Sequence, residues 1–577
     1  MPMKTYQTGG KDIMDLYKTH HIQHNKVCLL STALLLTLVA PCFAAPAPDL
    51  PDAGQVLRST QITGKFLPKE ERPDLTVKEQ PLRPPLSEAG GLKVRVEDIT
   101  VINQDIFTTT ELAALYQEQL HKELTFSELS QIAAKVTQYF KDHGYLVAQA
   151  YLPAQEFDQG RLEIAVVVGR YGDIILKNKS AISEQAIRQQ LAALQPGAYI
   201  NNKELERVAL LVGDLAGVAA KLTLTPGKSA GIADCIVEVT DKIGDTHGSI
   251  TVNNWGNRFI GRVQSALTYN VENLTDSGDT LSLSVTGADS DISLTGANYC
   301  LPVADGLTLN MGYSKVRYWL GEDYAYLEAH GTAYSKHADL TWALLRSRTS
   351  NMNLQFGYDH KTFSDRTDII SSVTDKSSHA VSLGLSGDNR DSYGGGGVTA
   401  YSLQWYDGGL SAQSNASVPP TGHWNKTAYN LFRQQTINKR LFLQTAFSGQ
   451  WASTKLDSSE RFSLGGANGV RAYPADEASG DEAWLFTGEL HWNIPLKESK
   501  QTLQLVGFYD TGVSHIEKDS TDQDNRRSLS GAGLGILWGV PGDYAVKANY
   551  AWKAGSTAAQ SDTDKNGRLW LQGVKYF

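Results

Sequence analysis

From residue 93 onward, the hydrophobic and polar positions follow two different rhythms, one after the other. Between Lys93 and Lys242 two units of about 75 residues each repeat the order strand, helix, helix, strand, strand. In the first, residues 93–169, Lys93 to Ile102 predicts an opening strand. Thr108 with Glu111, and Thr125 with Glu128, each form the capping-box spacing that starts a helix. The second of these helices places Leu129, Ile132, Ala133, Val136 and Phe140 on one face and stops at Gly144. Strands Tyr145 to Leu152 and Arg161 to Val168 follow. The second unit, residues 170–242, has helices predicted over Ser183 to Leu194 and Lys203 to Leu215, then strands Val218 to Thr225 and Ile232 to Thr240. Both units are small α+β domains by this reading.

The period changes to two over residues 243–577. Leu281, Leu283 and Val285 alternate with Ser282, Ser284 and Thr286, and Leu307, Leu309, Met311 and Tyr313 alternate with Thr308, Asn310, Gly312 and Ser314. Trp484, Phe486, Leu490, Trp492 and Ile494 alternate in the same way with Thr487, Glu489, His491 and Asn493. A strand with one face on lipid and the other on a watery interior has this texture. At roughly 20 residues per strand and connection, the region holds about 16 antiparallel strands of an all-β transmembrane barrel. The fold class expected is therefore multidomain, two small α+β domains followed by that barrel.

The start of the chain reads differently again. Val27 to Ala40 is apolar, preceded by Lys26 and followed by small residues at Cys42 and Ala44. It is too short to span a bilayer and predicts a signal peptide, residues 1–44. Residues 45–92 are polar and proline-rich, a linker with one short helix candidate over Pro51 to Gln61, where Ala53, Val56 and Leu57 share a face.

Composition removes several classes of function. The 577 residues carry a formal charge of −9, with no concentrated basic stretch of the kind phosphate binding requires, so no nucleic-acid partner is expected. Gly227, Lys228 and Ser229 resemble the end of a nucleotide-binding loop, but the required upstream glycine is Leu222. With Gly231 they also match a hydrolase elbow, yet they lie between two strands, where a hairpin turn is expected. His20, His21 and His24 precede the apolar core of the signal. No catalytic residue, cofactor or metal is expected, and after cleavage only Cys235 and Cys300 remain, too few for a disulfide scaffold.

Four stretches resemble the two-partner secretion transporters (TpsB, the FhaC/ShlB/HecB haemolysin secretion/activation family), relatives of the barrel-assembly proteins of bacterial outer membranes. Tyr139, Gly144, Tyr145, Leu152, Pro153, Gln155 and Gly160 are similar to that family's first POTRA domain, and Leu205 to Gly227 to its second. Val252 to Arg262 resembles the lead-in to its first barrel strand. Arg461 to Trp484 is similar to its long inward-folded loop, placed near 461–483, with Val470, Arg471, Ala472 and Tyr473 at the signature. Three positions depart from the usual pattern: Ala472 stands for the signature glycine, Ala216 for a proline and Asn253 for an aspartate.

The resemblance implies an outer-membrane translocator with POTRA domains in the periplasm. Its partner would be a large TpsA-type exoprotein, a haemolysin, haemagglutinin or adhesin. The amino-terminal secretion domain of that partner would be recognised in the periplasm, and the chain threaded unfolded to the cell surface without nucleotide hydrolysis. Outer-membrane lipid, and the barrel-assembly machinery for insertion, would be its other partners. The helix candidate at Ala53, Val56 and Leu57 would plug the pore. By resemblance, Arg471 would pair with Asp510. Strand parity independently turns Val506, Phe508 and Asp510 inward when Leu503, Leu505 and Tyr509 face lipid, and it turns Glu489 inward as a second carboxylate.

Overall fold

The computed structural model describes residues 51–59, 74–78, 93–156, 159–229, 231–242, 247–289, 292–416, 419–497, 500–522 and 525–577. The expected signal peptide, with the histidines ahead of its apolar core, and most of the linker lie outside these residues. The chain divides into two compact units, one holding the small domains and one holding the barrel.

In the first small domain the expected opening strand is two strands. β2 (Lys93–Val96) pairs antiparallel with β4 (Lys122–Thr125), and β3 (Asp98–Ile102) pairs parallel with β6 (Arg161–Val168). Glu97 is the joint. Its N–H and that of Asp98 both donate to the Gly160 carbonyl at 2.8 and 3.3 Å. Gly160 has φ +72, and a Cβ there would stand 2.8 Å from Glu97 Cγ, so the joint needs glycine opposite it.

Helix α2 (Thr109–Ala113) is a single turn and α3 (Phe126–Asp142) a long one, and both carry the full capping box. Strand β4 fills the interval between them, where the sequence pattern shows no strand. Leu129, Ile132, Ala133, Val136 and Phe140 are all buried against a core that includes Leu162, Ile164 and Val166 of β6. β5 (Ala148–Tyr151) completes the sheet order β3-β6-β5.

The second domain contains β7 (Arg170–Lys179), α4 (Glu184–Gln190), α5 (Asn202–Gly213), β8 (Val218–Pro226) and β9 (Ile232–Asp241). Its sheet also takes in β1 (Asp74–Val77), which runs parallel to β8 from Asp74 opposite Lys221 to Val77 opposite Leu224. This corrects the reading of residues 45–92 as helix candidate plus linker. Leu75 and Val77 pack on the domain's core. The surrounding prolines mask this four-residue apolar alternation in any compositional reading. Cys235 is buried in the same core, where loss of water pushes its thiol up to about 12.

The barrel bears out the expected fold class. Sixteen antiparallel strands, β10 (Gly248–Asn253) to β25 (Gly567–Tyr576), close by pairing of the first with the last, from Ser249 opposite Tyr576 to Asn253 opposite Gln572. Leu283, Val285, Met311, Tyr313, Leu490 and Trp492 are exposed on the outer face, as lipid contact requires. Asn310, Thr487, Glu489, His491 and Asn493 are buried on the inner one. Among the described residues, no helix is long and apolar enough to cross a membrane.

Candidate functional site in the barrel lumen

The inner face is built around a long connection, residues 453–481, between β20 (Leu441–Ala452) and β21 (Glu482–Ile494). Val470, Ala472 and Tyr473 have no exposed surface and pack with Leu464, Val506, Phe508 and Leu529, so the connection lies folded against the wall. The small residue at 472 has a steric reason. Ala472 lies so close to Gly531 of β23 (Arg526–Val540) that a Cβ on Gly531 would stand 2.5 Å from that of Ala472. Tyr473 donates its hydroxyl to the Thr557 carbonyl at 2.9 Å.

Arg471 lies at the centre. Its Nε and Nη2 donate to the two oxygens of Asp510, on β22 (Thr502–His515), at 2.8 and 2.7 Å, and its backbone N–H donates to the same carboxylate at 3.2 Å. Its Nη1 is 2.8 Å from Glu489 of β21. The guanidinium lies 3.4 Å above the centre of the Phe508 ring, and its backbone carbonyl accepts from Trp570 Nε1 at 2.7 Å. The planar fork reaches two carboxylates and a ring face at once, which lysine cannot do. Glu489 is also 3.0 Å from His491, which stacks on Phe442. The structure thus brings together Arg471, Asp510 and Glu489, with Arg471 only 3% exposed and Asp510 fully enclosed.

Further pairs that sequence reading did not single out fix the same connection. Arg461 and Asp481 close its neck at 3.0 Å. Glu477, fully enclosed, pairs with Arg527 at 2.7 Å and accepts from the N–H groups of Gln560 and Ser561. Parity marks Arg527 as inward-facing, but nothing in the sequence pattern says which loop carboxylate it meets.

Helix α1 (Ala53–Ser59) occupies the lumen beside this connection. Ala53, Val56 and Leu57 are buried against Phe259, Ile260, Ile292, Val316, Tyr318 and Phe363. Asp52 caps the helix by accepting from the N–H groups of Gly54 and Gln55, both at 3.0 Å. Ala53 N–H donates to Asp365 at 2.9 Å, and Tyr318 donates to the same oxygen at 2.7 Å. At the other end Arg58 donates to Asp476 and Ser479, each at 3.0 Å, and to the Arg461 carbonyl at 3.2 Å. The helix therefore touches both wall and folded-in loop.

The motif residues of the small domains serve their architecture. Tyr139 and Tyr145 meet Phe107 edge-on at 5.0 and 6.0 Å. The Gly144 carbonyl accepts from Asn202 N–H of the second domain at 2.8 Å, and φ +96 suits only glycine there. The Gln155 amide bonds both backbone groups of Glu163, extending the pairing along β6, and touches the Pro153 carbonyl. Val252 to Arg262 is not a lead-in but the end of β10 and the connection after it, since Phe259 and Ile260 turn inward onto α1. Lys228 sits between β8 and β9 and pairs with Asp173 at 2.8 Å. Among the described residues, no three His, Cys, Asp or Glu side chains are placed to hold a metal ion.

Residues 234–537, more than half of the chain, match the family described as haemolysin secretion/activation protein ShlB/FhaC/HecB, and residues 94–169 match the ShlB-type POTRA domain. The chain belongs to this family. It is similar to the heme/hemopexin transporter protein HuxB of Haemophilus influenzae (strain 86-028NP), with 27% identity over 91% of this chain and 95% of the relative. Solved structures share its fold. CdiB from Escherichia coli superposes with a TM-score of 0.70 at 20% identity, covering 86% of this chain and 94% of that one. CdiB from Acinetobacter baumannii gives 0.62 at 17%, covering 88% and 95%. As a ShlB/FhaC/HecB protein, the chain is an outer-membrane transporter of the two-partner secretion kind, with its POTRA domains in the periplasm.

Proposed function

We propose that the chain recognises the amino-terminal secretion domain of a large haemolysin-, haemagglutinin- or adhesin-type exoprotein in the periplasm. It then threads that exoprotein, unfolded, through the barrel without hydrolysing a nucleotide. One observation carries this reading: the lumen of a secretion-family barrel is occupied by two segments, α1 and the 453–481 connection, that belong to no barrel strand and are held by polar pairs. Pairs of this kind can open when water or a passing chain replaces their partners, whereas strand pairing cannot yield without opening the barrel.

Arg471 is the latch on the loop, with Asp510 and Glu489 as its keepers, and Ala53, Val56 and Leu57 form the face of the plug. Client capture uses backbone pairing along the open sheet edges of the small domains, such as β5 and β7, with alternate side chains selecting the partner. Lipid covers the outer face, and barrel-assembly machinery inserts the chain.

The test is secretion of the cognate large exoprotein, in cells carrying the wild-type chain, a deletion or Arg471→Ala. Heat-modifiable mobility reports whether the barrel is folded. Loss of secretion in the deletion, and a marked fall with a folded Arg471→Ala barrel, are expected. Undiminished secretion in the deletion, or a general defect in outer-membrane protein assembly, would overturn the reading.

A further inference from the structure

The Arg471 group holds the middle of the loop, but the loop's root is held too, on a separate arc of wall. Strand alternation turns Lys361 of β16 (Ser350–Thr367), Lys376 of β17 (Ser372–Asp391) and Lys426 of β19 (Gly422–Thr436) into the lumen. Lysine is seldom fully enclosed, because its ammonium loses water there. Yet the side chains of Lys376 and Lys426 have no exposed surface, and that of Lys361 only 5%.

Their partners explain it. All three reach the short acidic turn, Asp457 to Glu460, that opens the 453–481 connection. Lys426 Nζ is 2.8 Å from Glu460 Oε2 and donates to the Glu460 carbonyl at 3.1 Å, and Lys361 is 3.7 Å from the other oxygen. Lys376 stands between two carboxylates, 3.9 Å from Asp457 and 3.8 Å from Asp365. Asp365 is the wall residue that receives Ala53 N–H of helix α1. The same acidic turn also meets the helix directly, through Ser458 donating to Asp52 at 3.2 Å.

We propose that Lys426 and Glu460 form a second latch, at the root of the inward-folded loop, and that Lys376, shared between Asp365 and Asp457, couples this latch to helix α1. The inference rests on the reading of loop and helix as the removable filling of the lumen. Its physical consequence is an order of release. While α1 is in place it keeps water from the acidic turn, and a low-dielectric pair is strong. When α1 leaves, Asp52 leaves with it, Asp365 loses the Ala53 N–H, and water reaches the turn. The root pair then weakens, while Arg471 keeps Glu489, Asp510, Phe508 and Trp570, which lie on strands of the barrel wall. Helix first, root second and Arg471 last is the sequence this geometry sets.

The test uses the full chain in planar bilayers, with heat-modifiable mobility as the check on folding. The variants are Lys426→Met, Glu460→Gln, the charge exchange Lys426→Glu with Glu460→Lys, and Arg471→Ala as reference. Lys426→Met and Glu460→Gln are each expected to raise the time spent in a high-conductance state several-fold. The charge exchange should return it toward wild type, and deletion of residues 51–59 should remove most of the Lys426→Met effect. If both single variants behave as wild type while Arg471→Ala opens the channel, the root latch is wrong and the reading beneath it stands. If all of them, Arg471→Ala included, behave as wild type, that reading falls and takes the root latch with it. A folded charge-exchange variant that stays as open as the single variants would overturn the ion pair as the cause.

Discussion

The two small domains and the barrel lumen enclose their side chains by different means. In the small domains the interior is apolar: Leu129, Ile132, Val136 and Phe140 of α3 against β6 in one, and Val208, Val212 and Leu215 against β8 and β9 in the other. Nothing there gains by opening, because every exposed methylene costs free energy. In the lumen, Arg471, Glu477, Asp510, Lys376 and Lys426 are as enclosed as those leucines, but each is stable only while its partner is present. The difference teaches which part is meant to stay folded. An apolar core resists partial opening, whereas the ion pairs that join the apolar clusters of α1 and the loop to the lumen wall can exchange protein partners for water at modest net cost.

The comparison can be broken where its effects should be largest. Phe140→Ala is expected to destabilise the first small domain by about 3 to 5 kcal/mol, the usual cost of truncating an enclosed aromatic ring. Hydrogen exchange along α3 in the full chain measures it, and the barrel's amides should not respond. Arg471→Ala is expected to act the other way round. Heat-modifiable mobility of the barrel should hardly move, because strand pairing holds it, while conductance in planar bilayers rises. A barrel that no longer folds would mean that the lumen pair is a core element like Phe140.

Thr125→Ala removes the cap of α3 and should cost about 1 kcal/mol, read as faster exchange confined to the first turn. The smallest effect belongs to the exposed pair of Arg188 with Glu184, 3.4 Å apart on the surface of α4, where Arg188→Ala should leave thermal unfolding unchanged. A measurable loss there would weaken the distinction between surface and enclosed pairs.

Much of the fold was legible because its signals are local. Both capping boxes, the apolar face of α3 and the alternation of β21 and β22 are patterns a few residues long, and the structure forms each of them. What failed depended on distant partners. The break at Glu97 exists because Gly160 lies opposite it, and β1 exists because β8 has a free edge. The lumen divides in the same way. Parity turns Asp510 and Glu489 inward, and the loop signature picks out Arg471, so these three could be named. Lys426 is equally inward by parity, yet Glu460 sits on a turn whose path no periodicity describes. Inward-facing charges can be read from a strand, but a partner on a loop can be named only where the loop carries a signature, as at Arg471.

The most direct measurement is to fasten the loop where it lies. Ala472→Cys with Gly531→Cys places two sulfurs across the contact between loop and β23, where the Cβ positions stand closer than the roughly 3.5 to 4.5 Å a disulfide spans, so a slight retreat of the loop lets the bond form. Exoprotein secretion is then followed in cells carrying the pair, with each single cysteine variant as control, before and after reductant. If loop movement is required for passage, the oxidised pair stops secretion, and reductant restores it to the level of the single cysteine variants, which oxidation itself does not change. Undiminished secretion through a barrel whose loop is demonstrably cross-linked would contradict a removable lumen filling.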